Sequence, residues 1–412
     1  MKKLFLLTIL PVFLFADDLK SLLYFAKKNN NLVNASKIVL QAKDKELQSA
    51  TSNYFPTLDV SAFYKRDDDP SPFLPGTTYG ARAKIGFDIY DGGKKSYIKK
   101  QKESEKKSAS FSYKDTKKSI LLSIIEDYYN LKSLQAFLSA TIESSLAVKA
   151  QLERVRHFYE ADLATSDDVD RLASAYESSV YVIESTKFQI KVLHKALELK
   201  VGKKIDTLAY SQFEKRAAQN EEVLDSIESL RYKKIALKNL SQTIDSYYYP
   251  NIRIEDTYSF YGYQDKPSFG LIPIEYLDKQ NELMATLSLR LFDFGTLKEQ
   301  KEALKLQVDA LHQQIIYKSK EQQMQQELAQ ERIYTAKRNI QSAKSALKAA
   351  KSAFNTITEK YNSGVVDNVV YLDALSSKTE AKARYEKALN DLEIAYGIYY
   401  YYYNKDLEEF IQ

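Results

Sequence analysis

For chemistry, this chain offers three histidines, no cysteine and many interleaved carboxylates. His157, His194 and His312 stand far apart and lack ligand spacing, so no metal centre is expected. Without cysteine there is no thiol nucleophile, no zinc–thiolate site and no disulfide framework. Neither a nucleophile elbow nor a phosphate loop nor a zinc motif occurs. The carboxylates form no constellation for acid–base work. The chain is therefore read as a non-enzyme, with no catalytic residue, cofactor or metal assigned. Two short turns, 157–166 and 361–368, concentrate the acidic residues of interest. The first carries Asp162 and is followed by Asp167, Asp168 and Asp170; the second carries Asp367 and is followed by Asp373. Helix capping is the plainest role for such residues. Asp167 and Asn368 are placed to cap, whereas Asp373 lies further into its helix.

Helix breakers show which elements hold those turns. Apart from Pro11, the prolines fall in two clusters, Pro56 to Pro75 and Pro250 to Pro273. Proline costs about 3 kcal/mol inside a helix, so the proline-free stretches are where long helices can form. Their periodicity agrees. Ala336, Ile340, Ala343, Leu347, Ala350, Phe354, Ile357 and Tyr361 recur at alternating spacings of four and three, as do Leu121, Ile124, Tyr128, Leu131, Gln135, Leu138 and Ile142. This is heptad spacing, which packs helices at a shallow angle. Between Glu321 and Gln326 the pattern slips. The segments 95–157 and 297–360 would each reach ~95 Å at the rise of an α-helix.

The plan occurs twice. Tyr54-Phe55-Pro56-Thr57-Leu58 corresponds to Tyr248-Tyr249-Pro250-Asn251-Ile252, and Ile85 to Asp91 corresponds to Leu287 to Asp293. Tyr159 to Leu163 corresponds to Tyr361 to Val365. Each copy reads helix, proline, strand, loop, strand, Asp-Gly-like turn, long helix, tight turn, helix. The strands, near 57–65, 81–90, 251–260 and 283–292, have one apolar and one polar face. The third is the weakest, interrupted by Asp256. Amphipathic strands of this length suit a transmembrane barrel, and equally a soluble hairpin packed on helices. Aromatics favour the barrel. Tyr54, Phe55, Tyr90, Tyr247 to Tyr249 and Phe292 lie at one end of the strands; Tyr64, Phe73, Tyr79, Phe260, Tyr261 and Tyr263 lie at the other. Four strands cannot close a barrel, and an open edge in lipid is forbidden, so strands must be pooled between chains. Two copies would give eight strands and three would give twelve.

This duplicated set resembles the TolC-like outer-membrane efflux protein family across the mature chain. The residues carrying the resemblance are Pro56 and Pro250 at the strand starts, Asp91-Gly92-Gly93 and Phe292-Asp293-Phe294-Gly295, and Tyr361-Asn-Ser-Gly364 followed by Tyr371-Leu-Asp-Ala374. The resemblance implies an α+β membrane protein: a homotrimer whose four strands per chain complete a twelve-stranded transmembrane β-barrel, continued by a long periplasmic α-helical barrel. It implies a passive duct in the outer membrane, embedded in its lipid and docked to a periplasmic adaptor protein and an inner-membrane pump. It also points to the periplasmic tip as the gate. There Asp373 matches a carboxylate-ring position, Asp168 an acidic position of the first turn, and Tyr361 an aromatic of the second. Two positions depart from the family pattern. Val370 stands where a second acid is frequent, and Val366 where an arginine often locks the gate. An apolar constriction at Val366 and Val370 would follow. Asp162, Asp367 and the tip-turn Gly364 complete the candidate set.

The expected organisation is a signal peptide at 1–16, a first repeat at 17–202, a linker at 203–222 and a second repeat at 223–412. The signal rests on Lys2, Lys3, the apolar run Leu4 to Phe15 and the small Ala16. A run of about a dozen apolar residues is too short to span a bilayer core of ~30 Å. The Tyr399 to Tyr403 run is expected to pack near the junction of strands and helices. The 60 basic and 55 acidic residues are interleaved, so no nucleic-acid footprint is expected. Protein secretion and metal export are alternatives within the same architecture; a poreless periplasmic coiled-coil scaffold is an alternative outside it.

Overall fold

The computed structural model describes residues 17–69, 71, 75–217, 222–266 and 275–412. The expected signal peptide, Phe73 of the second girdle, and Pro70, Pro72, Pro267 and Pro273 lie outside them. The chain is mostly helical with one four-stranded sheet: α1 (Leu19–Asn29), α2 (Asn31–Ser52), β1 (Thr57–Arg66), β2 (Thr77–Asp91), α3 (Lys94–Glu160), α4 (Ser166–Val201), α5 (Asp225–Asp245), β3 (Asn251–Gln264), β4 (Lys279–Ser288), α6 (Thr296–Asn362) and α7 (Asn368–Tyr402). Among the described residues, no helix is long and apolar enough to cross a membrane. The chain divides into two compact units. One comprises 38–112 and 226–317 and holds all four strands; the other comprises 1–37, 113–225 and 318–412.

In the strand-bearing unit the sheet order is β1-β2-β3-β4, every pair antiparallel. The register puts the apolar residues on one face. Leu58 lies opposite Ile85, Val60 opposite Ala83 and Ala83 opposite Tyr258, while Ile254 faces both Phe87 and Ala285. Asp256 falls in this apolar row, between Ile85 and Leu283, and its Oδ1 is inaccessible and without a hydrogen-bond partner. The other face is ionic. Arg253 pairs with Asp88 at 2.8 Å and Glu255 at 2.9 Å, and Lys84 pairs with Glu255 at 2.6 Å. Gly86 makes room for this network, because a Cβ there would lie 2.6 Å from Arg253 Nη2.

Four strand ends differ from expectation: β2 begins at Thr77, β3 runs on to Gln264 rather than 260, and β4 begins at Lys279 rather than 283 and stops at Ser288. β4 stops at Ser288, not 292, because Ser288 pairs with Asn251, the first residue of β3. Pro250 has no N–H to extend the ladder, so Leu289 to Phe292 have no partner strand. β2 begins at Thr77, not 81, because β3 continues to Gln264 and supplies partners for Thr77 to Gly80. Alternation fails in that stretch, since Tyr79 lays its ring over Gly262.

Both strand-to-helix turns use one device. Asp91 accepts from the Gly93 and Lys95 amides at 3.0 and 2.8 Å. Asp293 accepts from Gly295 and Leu297 at 3.0 Å each. Each carboxylate thereby satisfies amides that a helix N-terminus leaves open.

The core of the other unit packs Leu19, Leu22 and Leu23 of α1 against Ile124, Tyr128 and Tyr129 of α3 and Tyr396, Tyr399 and Tyr400 of α7. The segment after α4 lies in this core as an extended strap. Phe213 bridges to Ile411, and Asp17 bridges to Leu208. The tyrosines hold the strap by its carbonyls: Tyr129 donates to Ser211 O at 3.0 Å, Tyr400 to Arg216 O at 3.0 Å and Tyr128 to Ala209 O. The Tyr399 to Tyr403 run therefore does not serve the strand junction; it binds the strap and the C-terminal segment, where buried phenols find carbonyl partners. The polar slip at 321–326 has the same purpose. Gln322 and Gln326 are buried in an unbroken α6 and donate to Tyr402 O, each at 3.1 Å.

Phe213 is 2% exposed, its ring tilted against Tyr129 of α3 and Tyr400 of α7. Phe213→Ala is expected to cost about 3–5 kcal/mol by opening a cavity in this core. The check is limited proteolysis, in which residues 203–217 should become the first cut. Cleavage unchanged from the parent chain would show that the hydrogen bonds alone hold the strap.

Candidate functional site

The two tight turns at the ends of α3 and α6 are the same structure written in different residues. In the first, Leu163 N donates to Phe158 O at 2.8 Å and Asp162 N to Tyr159 O at 3.1 Å. In the second, Val365 N donates to Lys360 O at 2.8 Å and Gly364 N to Tyr361 O at 3.1 Å. These paired bonds form the Schellman closure of a helix C-terminus, which needs a left-handed residue. Asp162 supplies it with φ +57° and Gly364 with φ +72°. An aspartate tolerates that region better than most residues with a Cβ, so both turns close alike.

The helices that leave the turns are capped by different chemistry. Thr165 caps α4. Its hydroxyl accepts from Asp168 N at 3.3 Å, and Asp168 Oδ2 returns to Thr165 N and Oγ1 at 3.3 and 2.8 Å. This reciprocal capping box was legible in Thr165-x-x-Asp168 and was missed. Asp367 caps α7, its Oδ1 accepting from Val370 N at 3.1 Å. The expected caps Asp167 and Asn368 are therefore corrected. Each stands inside its helix, one residue or more beyond the capping position. Asp167 instead pairs with Arg171 at 2.8 Å, one turn on.

Asn368 has a different task. It is 5% exposed, and its Nδ2 reaches Asp168 Oδ1 at 3.1 Å and Asp168 O at 3.3 Å. The two turns are thus joined by a buried amide that accepts its orientation from the capping carboxylate of the other. Beside it, Tyr361 stacks on Tyr371 with centroids 4.9 Å apart, and Phe354 tilts onto Tyr371 at 5.7 Å. Burial pushes the Tyr361 and Tyr371 phenols up from their ordinary range. Val148, Leu152, Val155, Leu172 and Leu375 complete an apolar core under the turns. Arg154 donates to Asn362 Oδ1 at 2.7 Å, a further bond across the helices.

The structure brings Asp168 and Tyr361 into this joint. It leaves Asp162, Asp367 and Asp373 on the surface, with no ion pair among the described residues. Asp367 spends one carboxylate oxygen on its cap; Asp373 makes no side-chain bond among the described residues. Val365, Val369 and Val370 are exposed at 69, 45 and 40%, and Val366 is half-buried. The second turn therefore presents exposed Val365, Val369 and Val370 next to the exposed carboxylates of Asp367 and Asp373. No cluster of three metal-binding side chains occurs among the described residues.

Residues 22–179 match the family model described as outer membrane efflux protein. No curated protein matches the sequence. The fold is similar to that of a membrane protein from Pseudomonas aeruginosa (TM-score 0.80, 14% identity, 95% of this chain and 91% of that one). It is similar also to the outer membrane protein VceC of Vibrio cholerae (0.78, 14%, 94% and 96%). The Campylobacter jejuni CmeC outer membrane channel is a third (0.78, 16%, 92% and 86%). The resemblance to outer-membrane efflux proteins is borne out, and with it the fold class of four strands beside long helices. An outer-membrane location accords with the family description matched over residues 22–179.

Thr165→Ala is expected to cost about 1 kcal/mol, the usual worth of such a cap. Amide hydrogen exchange should quicken about fivefold over 166–169 and also at 368–371, because Asp168 loses its fixed position. Faster exchange confined to the first turn would mean that Asn368 does not couple the two.

Proposed function

We propose, taking the outer-membrane efflux family as premise, that this chain is one protomer of a homotrimeric passive duct. In this reading three chains pool their strands into a twelve-stranded barrel in the outer membrane. Their long helices enclose a periplasmic passage that receives small molecules from an adaptor protein and an inner-membrane pump. The observation that carries the reading is the open sheet. Its apolar face is bare: Leu58, Val60, Leu283 and Leu287 are 66–75% exposed. Its edges are β1 and β4, which run in opposite directions. β4 of one chain can therefore pair antiparallel with β1 of the next, head to tail, and such a contact closes into a ring. Lipid supplies the cover for the apolar face, and ring closure supplies partners for the edge amides. Both eight and twelve strands satisfy closure; three chains are taken from the family.

The gate in this reading is the second turn. Asp373 acts as the open carboxylate ring, contributed once per chain, and Asp367 lies beside it as a helix cap. Val366 and Val370 form an apolar narrowing where other family members carry charge. Asp168 then belongs to the support, since its oxygens hold Thr165 and Asn368, and Tyr361 belongs to the packing beneath.

Two experiments test this. Purified protein in planar bilayers should conduct and prefer cations. Asp373→Asn should lower the cation-to-anion permeability ratio about twofold, as loss of one partly screened charge per chain requires. An unaltered ratio removes Asp373 from the filter. Ile85→Lys should abolish assembly into the outer membrane, since a lipid-facing lysine at mid-depth costs about 2–4 kcal/mol. Normal assembly would show that the sheet faces are reversed, and a fully soluble wild-type chain would favour the poreless scaffold.

A further inference from the structure

A pocket of about 450 Å³ opens where β3 begins and β4 ends, lined among others by Asp91, Lys94, Tyr247, Asn251, Leu289 and Arg290. Its volume lies within the range of small-ligand sites. Its place on the sheet follows from register. Asp91 lies opposite Asn251, and Asn251 opposite Ser288. That row shares its face with Arg253 and Glu255, the ionic side, and lies opposite the bare apolar side. The pocket therefore opens on the polar face of the sheet.

Its charge is unbalanced. Lys94 Nζ sits 4.6 Å from the centre of the Tyr247 ring, and the Arg290 guanidinium sits 5.7 Å from the same ring. Neither cation has an ion pair among the described residues. The carboxylate lining the pocket, Asp91, is committed to the Gly93 and Lys95 amides. The cations nearest the pocket on this face are paired, Lys95 with Asp88 and Arg253 with Asp88 and Glu255, as is Lys84 with Glu255; farther along, Arg82 has no ion pair among the described residues and lies over the Phe63 ring. Two cations share one aromatic ring here against the single lining carboxylate Asp91, which leaves the lining with an excess of one positive charge. An anion would neutralise it, and a planar one could also lie along the Tyr247 ring, against Leu289.

We infer that this pocket binds a planar aromatic carboxylate, held by Lys94 and Arg290 with Tyr247 as its flat contact, on the inner wall of the passage. The position on an inner wall rests on the duct reading; the binding itself does not. The probe is 1-naphthoate, titrated calorimetrically into the detergent-solubilised full chain. One site per chain is expected. Lys94→Gln and Arg290→Gln should each weaken binding about tenfold, as loss of a charge-assisted contact does. Tyr247→Leu should weaken 1-naphthoate more than acetate. Lys100→Gln, at a lysine outside the pocket, should leave binding as it was. Absence of binding, equal binding of 1-naphthylmethylammonium, or an unchanged Lys94→Gln, Arg290→Gln double variant would overturn the assignment. In bilayers, 1-naphthoate should block the wild-type current and spare the double variant. Binding without block would overturn the inner-wall position. A wild-type chain that conducts nothing in potassium chloride would count against the duct, and the titration would still decide the site.

Discussion

A β-strand in hydrocarbon has no water to satisfy its edge, and in the proposed duct that constraint organises the protein. The sheet of four strands has an apolar face that only lipid or another chain can cover, and two edges that only another chain can complete. Closure by repetition is the economical solution, because one β4-to-β1 joint repeated around a ring leaves no edge anywhere. The alternation along each strand sorts residues into an apolar face and an ionic one, from Lys84 to Arg253, which in the proposed ring would be the lipid-facing and enclosed sets. Gly86 and Pro250 are where this layout meets backbone limits: one clears space for a guanidinium, the other ends a ladder.

Much of this could be read from the residues. Proline clusters bounded the helices, and period-two alternation found the strands, because both signals are local. What sequence reasoning missed was long-range. The Tyr399 to Tyr403 run, at the end of the last helix, is expected near the junction of strands and helices. Its partners are the carbonyls of a strap some 190 residues earlier, which no local pattern announces. Gln322 and Gln326 looked like a break in the packing and proved to be buried donors to the end of α7. The end of β4 was overestimated because Leu289 and Leu291 continue the alternation, although their would-be partner strand has already ended.

At the turns the aspartates stand out by type, but of their division of labour only the Thr165-x-x-Asp168 box was legible. Asp168 was marked by its type, yet its place in a capping box depends on Thr165, and its bond to Asn368 spans 200 positions. Asp162 and Gly364 show the converse. They share one left-handed position in duplicated turns, so the duplication itself explains why an aspartate stands there. Asp373 and Asp170 are both exposed and make no side-chain bond among the described residues; the proposed filter rests on Asp373 because of its match to the carboxylate-ring position.

Pooling of strands between chains is the central claim, and the absence of cysteine makes it directly measurable. Single cysteines at Ser61 in β1 and, in turn, at Glu282, Met284 or Thr286 in β4 should form disulfides only between neighbouring chains. Under oxidation, the best-placed pair should give a covalent ladder that ends at three chains. A ladder ending at two would replace the trimer with a dimer, and a chain that stays monomeric for every pair would contradict the pooled barrel.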